Sequence, residues 1–376
     1  MGSGQQQDFS STKRTMTSPE FRLAIAAIRW SFKNKPPGTI DLPVARVDWM
    51  NLQALAGRHR IQALLWNALD KHHIAVPQSV SSALSQQSAG IIRHNLATAA
   101  ECGRLLAAFN ARDIHPLFLK GLALGALVYA NPFLKMGWDI DLLVPPHQIA
   151  EASDVMKLAG YKPLSPSGDP GPEEVAAWHA SRKESLWRKE EGSFHLDLHS
   201  RLGDNPDFIP DLGTNSRRQD VKVADGIVLP TLANNELHIY LCVHGSSSAW
   251  FRLKWLADLA ALLSGLQAPD VARLHALAIR AGAGRASAQA LLVAEEMFAT
   301  KLGDELRAQL VRDRANRWLA AIARLYLTGG LSRSEPTEVP LGTALIHGSQ
   351  LLLAPGLQFK LSEARRQLTD MIGNRI

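Results

Sequence analysis

The chain contains few cysteines and no long apolar run. Only Cys102 and Cys242 are present among 376 residues, and they lie far apart, outside any metal-binding spacing. This count argues against a disulfide framework or a zinc cluster and favours a reducing compartment, so we expect a cytoplasmic protein. Even the apolar stretch 117–128 is interrupted by Lys120 and is shorter than the roughly 20 residues of a membrane-spanning helix. The sequence therefore predicts a soluble protein with no membrane partner.

The N-terminal 18 residues are polar and lack the apolar segment of a secretory signal, so we expect a disordered tail over 1–18. The remaining chain is long enough for two or three structural units. Its hydrophobic fraction of 46% and charged fraction of 20% are typical of a globular protein. The net charge of +6 favours polyanionic ligands such as nucleotides or RNA, although charge alone does not identify one.

Hydrophobic periodicity divides the chain into an N-terminal helical region (19–112), a central α+β core (113–230) and a C-terminal helical domain (231–376). Ser18 and Pro19 are typical of a helix start, and Pro36-Pro37-Gly38 is typical of its end. Further apolar repeats predict one helix over about 52–65 and a long one over 78–112.

The central block changes period, which predicts a small sheet flanked by helices. Its strands are expected at 115–119, 140–144, 161–164 (an edge strand), 185–189 and 194–199, with a second hairpin at 221–223 and 227–229. Helices are expected at 121–130 and 146–160. The fold class is therefore α+β.

Two carboxylates begin one of these strands. Successive side chains of a strand alternate between faces, so Asp139 and Asp141 project together while Ile140 and Leu142 point into the core. Like charges at this range oppose folding unless a cation neutralises them. Mg²⁺ takes oxygen ligands, usually one or two carboxylates plus substrate phosphates, and Mn²⁺ is an alternative. The pattern indicates a metal site for phosphoryl or nucleotidyl transfer, although a solvated strand entrance gives the same local sequence.

A third carboxylate lies in the strand expected at 194–199. By the same alternation His195, Asp197 and His199 share one face. If this strand pairs near the first, Asp197 joins Asp139 and Asp141 and can complete a metal site or act as a base. Otherwise Asp197 is an ordinary edge-strand residue, and His199 is either a partner of the cluster or a structural histidine.

The turn before the first aspartates is suited to phosphate. Gly121 closes a strand and opens a helix, and such a junction presents free backbone N–H groups to an anion. Lys120 and Lys135 can add cationic contacts to a phosphate chain or to leaving pyrophosphate. The alternatives are that Lys120 extends from a core strand to solvent and that Lys135 stabilises a loop.

The chain resembles the polymerase-β-like nucleotidyltransferases, whose pattern is a glycine-containing turn and helix, a hydrophobic-flanked Asp-x-Asp and a later strand aspartate. It is most similar to a little-characterised bacterial branch, over roughly residues 20–300. The Leu119-Lys120-Gly121 turn, the segment 139–144 and Asp197-Leu198-His199-Ser200-Arg201 carry the likeness. Supporting positions flank these motifs: His59-Arg60, Asn95, Tyr129, His244, Trp250, the segment 252–256 and Asp258.

This resemblance implies attack by an acceptor hydroxyl on the α-phosphate of a nucleoside triphosphate (NTP), with release of pyrophosphate and two Mg²⁺ ions. Asp139 and Asp141 would bind both ions, and Asp197 would complete one site and draw the acceptor proton. The candidate nucleotide-binding residues are Lys120, Gly121, Lys135, His199 and Lys254. Two features depart from the family: Lys120-Gly121 replaces the usual Gly-Ser, with a longer gap to Asp139, and Lys135 stands where arginine is typical.

The sequence leaves several interpretations of the function open. The histidines and aspartates could bind a transition metal for hydrolysis, or the fold could serve as a non-catalytic nucleotide-binding or scaffold protein. His244, Arg252, Lys254 and Asp258 have spacings that could line a cleft, although a Lys254–Asp258 ion pair on one helix explains two of them. The acceptor, whether RNA, a protein or peptide, or a small molecule, and the preferred base are not indicated.

Overall fold

A computed structural model of the protein describes residues 18–34, 44–329 and 334–373. The expected tail before Ser18 and the expected helix end at Pro36-Pro37-Gly38 lie outside these residues.

The N-terminal region is helical, as predicted. It contains α1 (Pro19–Trp30), α2 (Trp49–His59), α3 (Gln62–Lys71) and α4 (Gln78–Asn110). The predicted cap of α1 is confirmed, since Ser18 Oγ accepts a hydrogen bond from the Phe21 amide at 3.2 Å. The prediction of a single helix over 52–65 was wrong, because two helices, α2 and α3, cover this segment. Arg60 adopts left-handed backbone angles that end α2, and apolar periodicity does not detect such a reversal.

A mixed sheet occupies the centre of the described chain. Its strands are β1 (Leu117–Phe118), β2 (Asp139–Leu143), β3 (Lys162–Ser165), β4 (Glu184–Lys189) and β5 (Phe194–His199), in the order β1-β2-β5-β4-β3. Strands β2 and β5 are parallel, and the other neighbours are antiparallel. This arrangement confirms the α+β class, the edge strand and the predicted hairpin.

Further elements cover this sheet. Helices α5 (Gly121–Val128) and α6 (Ile149–Leu158) were expected, but α7 (Pro172–Ser181) was not. The second predicted hairpin is present as β6 (Arg218–Ala224) and β7 (Ile227–Leu232), which form a separate two-stranded sheet.

The two faces of the sheet have different environments. Ile140, Leu142, Leu196, Leu198 and Trp187 are buried in one apolar cluster together with residues of α4 and α6. The alternation of strand side chains therefore places the residues between them, including the acidic ones, on the opposite face.

The C-terminal part is helical. Its helices are α8 (Asn234–Ser247), α9 (Leu253–Leu263), α10 (Ala268–Arg280), α11 (Gly284–Phe298), α12 (Asp304–Arg312), α13 (Arg314–Leu327), α14 (Ala344–Gln350) and α15 (Leu357–Gly373). All of these helices except α14 contribute to one apolar cluster with α1 to α3, so N-terminal and C-terminal helices pack together. Within the described ranges, none of the helices has the length and apolar character needed to cross a bilayer.

The loop before β2 is held by a buried amide. Asn95 of α4 donates from Nδ2 to the carbonyl oxygens of Phe133 and Lys135, each at 2.8 Å. We expect Asn95→Ala to lower the free energy of unfolding by about 1–3 kcal/mol, because it leaves buried carbonyls without a donor. Urea unfolding measures this change. The exposed Gln87 on the same helix provides the control, since Gln87→Ala should change the free energy by less than about 0.5 kcal/mol. Equal effects of the two substitutions would contradict the proposed anchoring.

Candidate active site

Parallel pairing of two strands assembles the acidic residues. In the register of β2 and β5, Asp141 lies opposite Asp197, and Asp139 lies opposite His195. His199 follows on the same face of β5, opposite Leu143. The strand adjacency that the sequence left open is therefore present, and Asp197 lies on the same side of the sheet as Asp139 and Asp141.

Three of these side chains are close enough to share an ion. Ligand atoms of Asp141, Asp197 and His199 all lie within 4.8 Å of one another. Asp139 is outside this group but is only partly buried, and it lines a narrow cavity with Asp141, Lys120 and Gly121. The carboxylate oxygens provide the donor type that hard divalent cations prefer, and the imidazole adds a nitrogen. The described residues thus fit a divalent metal ion.

Asp141 is the buried centre of the cluster. Its Oδ1 forms an ion pair with Lys120 Nζ at 2.7 Å and lies 3.2 Å from His199 Nε2. Burial opposes ionisation of this carboxyl, but the positive charge of Lys120 and the contact with His199 outweigh it and hold the pKa of Asp141 well below its usual range. Asp141 is therefore a permanent carboxylate at neutral pH.

Asp197 has the opposite behaviour. Burial, followed by the negative charges of Asp141 and Asp139, raises the pKa of Asp197 to about 8, and Lys120 offsets only part of this. Without a bound cation, burial and the neighbouring carboxylates thus favour the protonated form of Asp197. A bound divalent cation would supply the positive charge that stabilises the ionised form, which is a second observation in favour of a metal site.

Glu184 is a site residue that sequence reasoning missed. The register of β4 and β5 places it opposite His199, and its Oε2 lies 3.1 Å from His199 Nδ1, without the alignment of a hydrogen bond. His199 is thereby located between Glu184 and Asp141, which fixes the orientation of its ring. The predicted hairpin contained the necessary signal, because extending its pairing by one residue brings position 184 opposite position 199.

The predicted phosphate-binding turn lies beside the acidic residues. Gly121 is the first residue of α5 and has a φ of +56°, a backbone conformation that glycine adopts without strain. Lys120 precedes it and connects the turn to Asp141 through its ammonium group. Gly121 at the start of α5 and Asp139 and Asp141 of β2 line one narrow cavity, together with apolar residues such as Ile140. The turn and the strand entrance are therefore adjacent, as a site for a metal ion together with phosphates requires.

Two other predicted residues, Lys135 and Lys254, lie in or against the loop before β2. Lys135 is buried, and its Nζ lies 3.2 Å from Asp258 Oδ2, while Tyr129 donates to Asp258 Oδ1 at 3.0 Å. Asp258 therefore points inward to Lys135. Lys254 contacts the carbonyl oxygen of Met136 at 3.5 Å. The ion pair that the helical spacing of Lys254 and Asp258 had suggested is replaced in the structure by this long-range pairing.

The two remaining C-terminal candidates, Arg252 and His244, contact neighbouring side chains outside the acidic cluster. Arg252 forms a bidentate ion pair with Glu335, with N–O distances of 3.0 and 2.8 Å. His244 packs edge-on against Trp255, with ring centroids 5.4 Å apart, and no hydrogen-bond partner for its buried Nε2 lies in the described part of the chain. Within the described part of the chain, neither side chain forms a hydrogen bond or an ion pair with Asp139, Asp141 or Asp197.

A mixed sheet with carboxylates on two parallel strands beside a glycine turn is the arrangement of a nucleotidyltransferase. Comparison with family models gives the same class: residues 45–299 match an uncharacterised nucleotidyltransferase family. The chain belongs to this family, and it is a transferase. Comparison with curated proteins gave no significant match.

The raised pKa of Asp197 predicts a pH-dependent stability. A carboxyl whose pKa is higher in the folded state stabilises the fold below about pH 4, and this contribution is lost as the pH rises through about 8. In metal-free protein, Asp197→Asn should remove this loss between about pH 5 and about pH 9. Urea unfolding in the presence of a chelator measures the difference. Asp225→Asn, at an exposed hairpin tip, should retain the wild-type profile.

Added Mg²⁺ should stabilise the wild type more at about pH 8 than at about pH 5, because protons compete with the ion for Asp197. An Mg²⁺ effect that is independent of pH, or a wild-type profile identical to that of Asp197→Asn, would contradict the assigned charge balance.

Proposed function

We propose that this protein transfers a nucleoside monophosphate from an NTP to a hydroxyl group of an acceptor and releases pyrophosphate, with Mg²⁺ held by Asp139, Asp141 and Asp197. The parallel register that places Asp141 opposite Asp197 carries this proposal. It brings oxygen donors from two strands to one point beside a glycine turn, and the family match supports the same reaction class.

The residues have distinct roles in the proposed reaction. The acceptor oxygen forms a bond to the α-phosphorus, and the bond to the bridging oxygen of the β-phosphate breaks, so that pyrophosphate leaves with the electron pair. Asp197 is the candidate base for the acceptor proton. Without a metal it holds a proton up to about pH 8, so this role would require the bound cation to keep it ionised. Bound Mg²⁺ supplies charge neutralisation at the phosphates.

The phosphate-binding side would use Lys120, the amide of Gly121, Lys135 and Lys254. Lys120 and Gly121 line the same cavity as Asp139 and Asp141, as does Lys135. His199 would contribute by orienting Asp141 and contacting the nucleotide, with Glu184 as its positioning residue. The sheet thus supplies the carboxylates, whereas the adjoining turn and helices supply the cations.

One observation favours a second candidate, a metal-dependent hydrolase. His199 belongs to the group of close ligand atoms with Asp141 and Asp197, and a mixed imidazole and carboxylate set suits transition metals. Membership in a nucleotidyltransferase family supports transfer over hydrolysis. Phosphate-ester cleavage with Mn²⁺ or Zn²⁺ that needs no NTP would favour the hydrolase.

Label transfer tests the proposal. We expect wild-type protein with Mg²⁺ and an NTP labelled at the α-phosphate to label an acceptor in a cell extract. Asp139→Asn, Asp141→Asn and Asp197→Asn should each reduce the labelling rate about 100-fold or more, because each removes metal-ion stabilisation worth several kcal/mol. The exposed Asp225→Asn serves as the matched control and should label at the wild-type rate.

Labelling that persists in all three cluster variants would overturn the proposal. Binding of NTP and Mg²⁺ without labelling of RNA, protein or small molecules would instead favour a non-catalytic nucleotide-binding role.

A further inference from the structure

Arg60 has an unusual backbone conformation for its residue type. It follows the last residue of α2 with φ 56° and ψ 47°, in the left-handed region. Glycine or asparagine normally takes this position at a helix end, because other side chains are strained there. Other non-glycine residues of the described chain, such as Ala299 at the end of α11, have the same conformation, so the backbone alone does not mark a site. The side chain of Arg60 therefore needs its own explanation.

Among residues 18–34, 44–329 and 334–373 the guanidinium of Arg60 forms no hydrogen bond or close ion pair, although it is partly buried. The Glu335 carboxylate acts on it only at longer range. The neighbours of Arg60 are paired: Arg252 binds Glu335, and Arg58 lies 3.8 Å from the same carboxylate. A partly buried cation with no carboxylate in direct contact is costly, and an anionic ligand would reduce that cost.

Lys254 is a second cation of this kind. Within the described ranges its ammonium contacts no carboxylate, and its polar contact is the Met136 carbonyl at 3.5 Å. Burial, followed by the positive charge of Lys135, lowers the pKa of Lys254 to about 7, and the charge of Arg60 contributes in the same direction. By comparison, Lys120 and Lys135 are neutralised by Asp141 and Asp258.

A buried contact between helices joins the backbone segments that carry the two cations, and the charge of Arg60 acts on Lys254. The amide of Leu253, at the start of α9, donates to Nδ1 of His59, the last residue of α2, at 3.1 Å. Arg60 and Lys254 are the residues that directly follow His59 and Leu253. The carboxylate of Asp139 acts electrostatically on both of them and partly offsets the lowering of their pKa values. The pair therefore lies within electrostatic range of Asp139.

We propose that Arg60 and Lys254 form the binding site for the terminal phosphates of the NTP. This inference rests on the proposed function, and it adds Arg60, from the N-terminal helices, to the predicted nucleotide site. The guanidinium of an arginine and the ammonium of a lysine donate hydrogen bonds, and the oxygens of a phosphate chain accept them. A metal ion between the carboxylates and the phosphates would direct that chain past Asp139 toward the pair.

Calorimetric titration with inorganic tripolyphosphate, an NTP and the corresponding monophosphate, all with Mg²⁺, tests the inference. Arg60→Asn should weaken binding of tripolyphosphate and of the NTP about ten- to hundredfold and leave the monophosphate unchanged. Asparagine suits the left-handed position, so the thermal unfolding midpoint should not fall. Lys254→Met should show the same selectivity, and Arg60→Lys, which retains the charge, should lose less affinity.

Arg46 provides a matched control, because it is an exposed arginine that also has a positive φ of 62°. Arg46→Asn should bind all three ligands like the wild type. Wild-type affinity of Arg60→Asn for tripolyphosphate, or an equal loss for the monophosphate, would overturn this inference and leave the transferase proposal standing. If the wild type binds neither the NTP nor tripolyphosphate, the proposed function itself fails.

Discussion

The parallel pairing of β2 with β5 is the constraint on which the rest of the site depends. It places Asp141 directly beside Asp197, in a partly buried position where like charges oppose each other. A shift of one residue in this register would turn Asp197 into the apolar core and bring Leu196 or Leu198 to the acidic face. The apolar residues on the reverse side of both strands prevent that shift, so packing of one face fixes the chemistry of the other.

The acidic face is stable because helices from both ends of the chain pack around the strand entrance. Asn95 holds the loop before β2 from α4, and Asp258 of α9 holds Lys135 of the same loop. These contacts hold the loop that leads into β2 and thus fix the position of Asp139 at the start of the strand. A site formed only by the sheet would leave this loop without support, whereas here its buried polar groups have specific partners.

The sequence predicted those features that local periodicity determines. Alternation along a strand was sufficient to place Asp139 with Asp141 and His195 with Asp197. The pairing of β2 with β5 depends on contacts across more than 50 residues, and no local pattern specifies them. Local spacing was misleading where tertiary contacts dominate: Asp258 pairs with Lys135 instead of Lys254, and the apolar repeat over 52–65 continues through the break at Arg60. Glu184 was missed for a different reason: the predicted hairpin ended one residue short of the pair that places it opposite His199.

Charge is distributed unevenly around this centre, and the two imbalances have opposite signs. The sheet face has carboxylates that Lys120 only partly neutralises. Arg60 and Lys254 have no carboxylate within ion-pair distance among the described residues, and more distant carboxylates compensate them only in part. Neither imbalance can relieve the other directly, because Asp139 offsets only part of the effect of burial on the two cations. A ligand that carries a divalent cation at one end and phosphates at the other would neutralise both at once. A metal-bound triphosphate has this charge pattern, so the electrostatics of the site favour the ligand proposed for this nucleotidyltransferase.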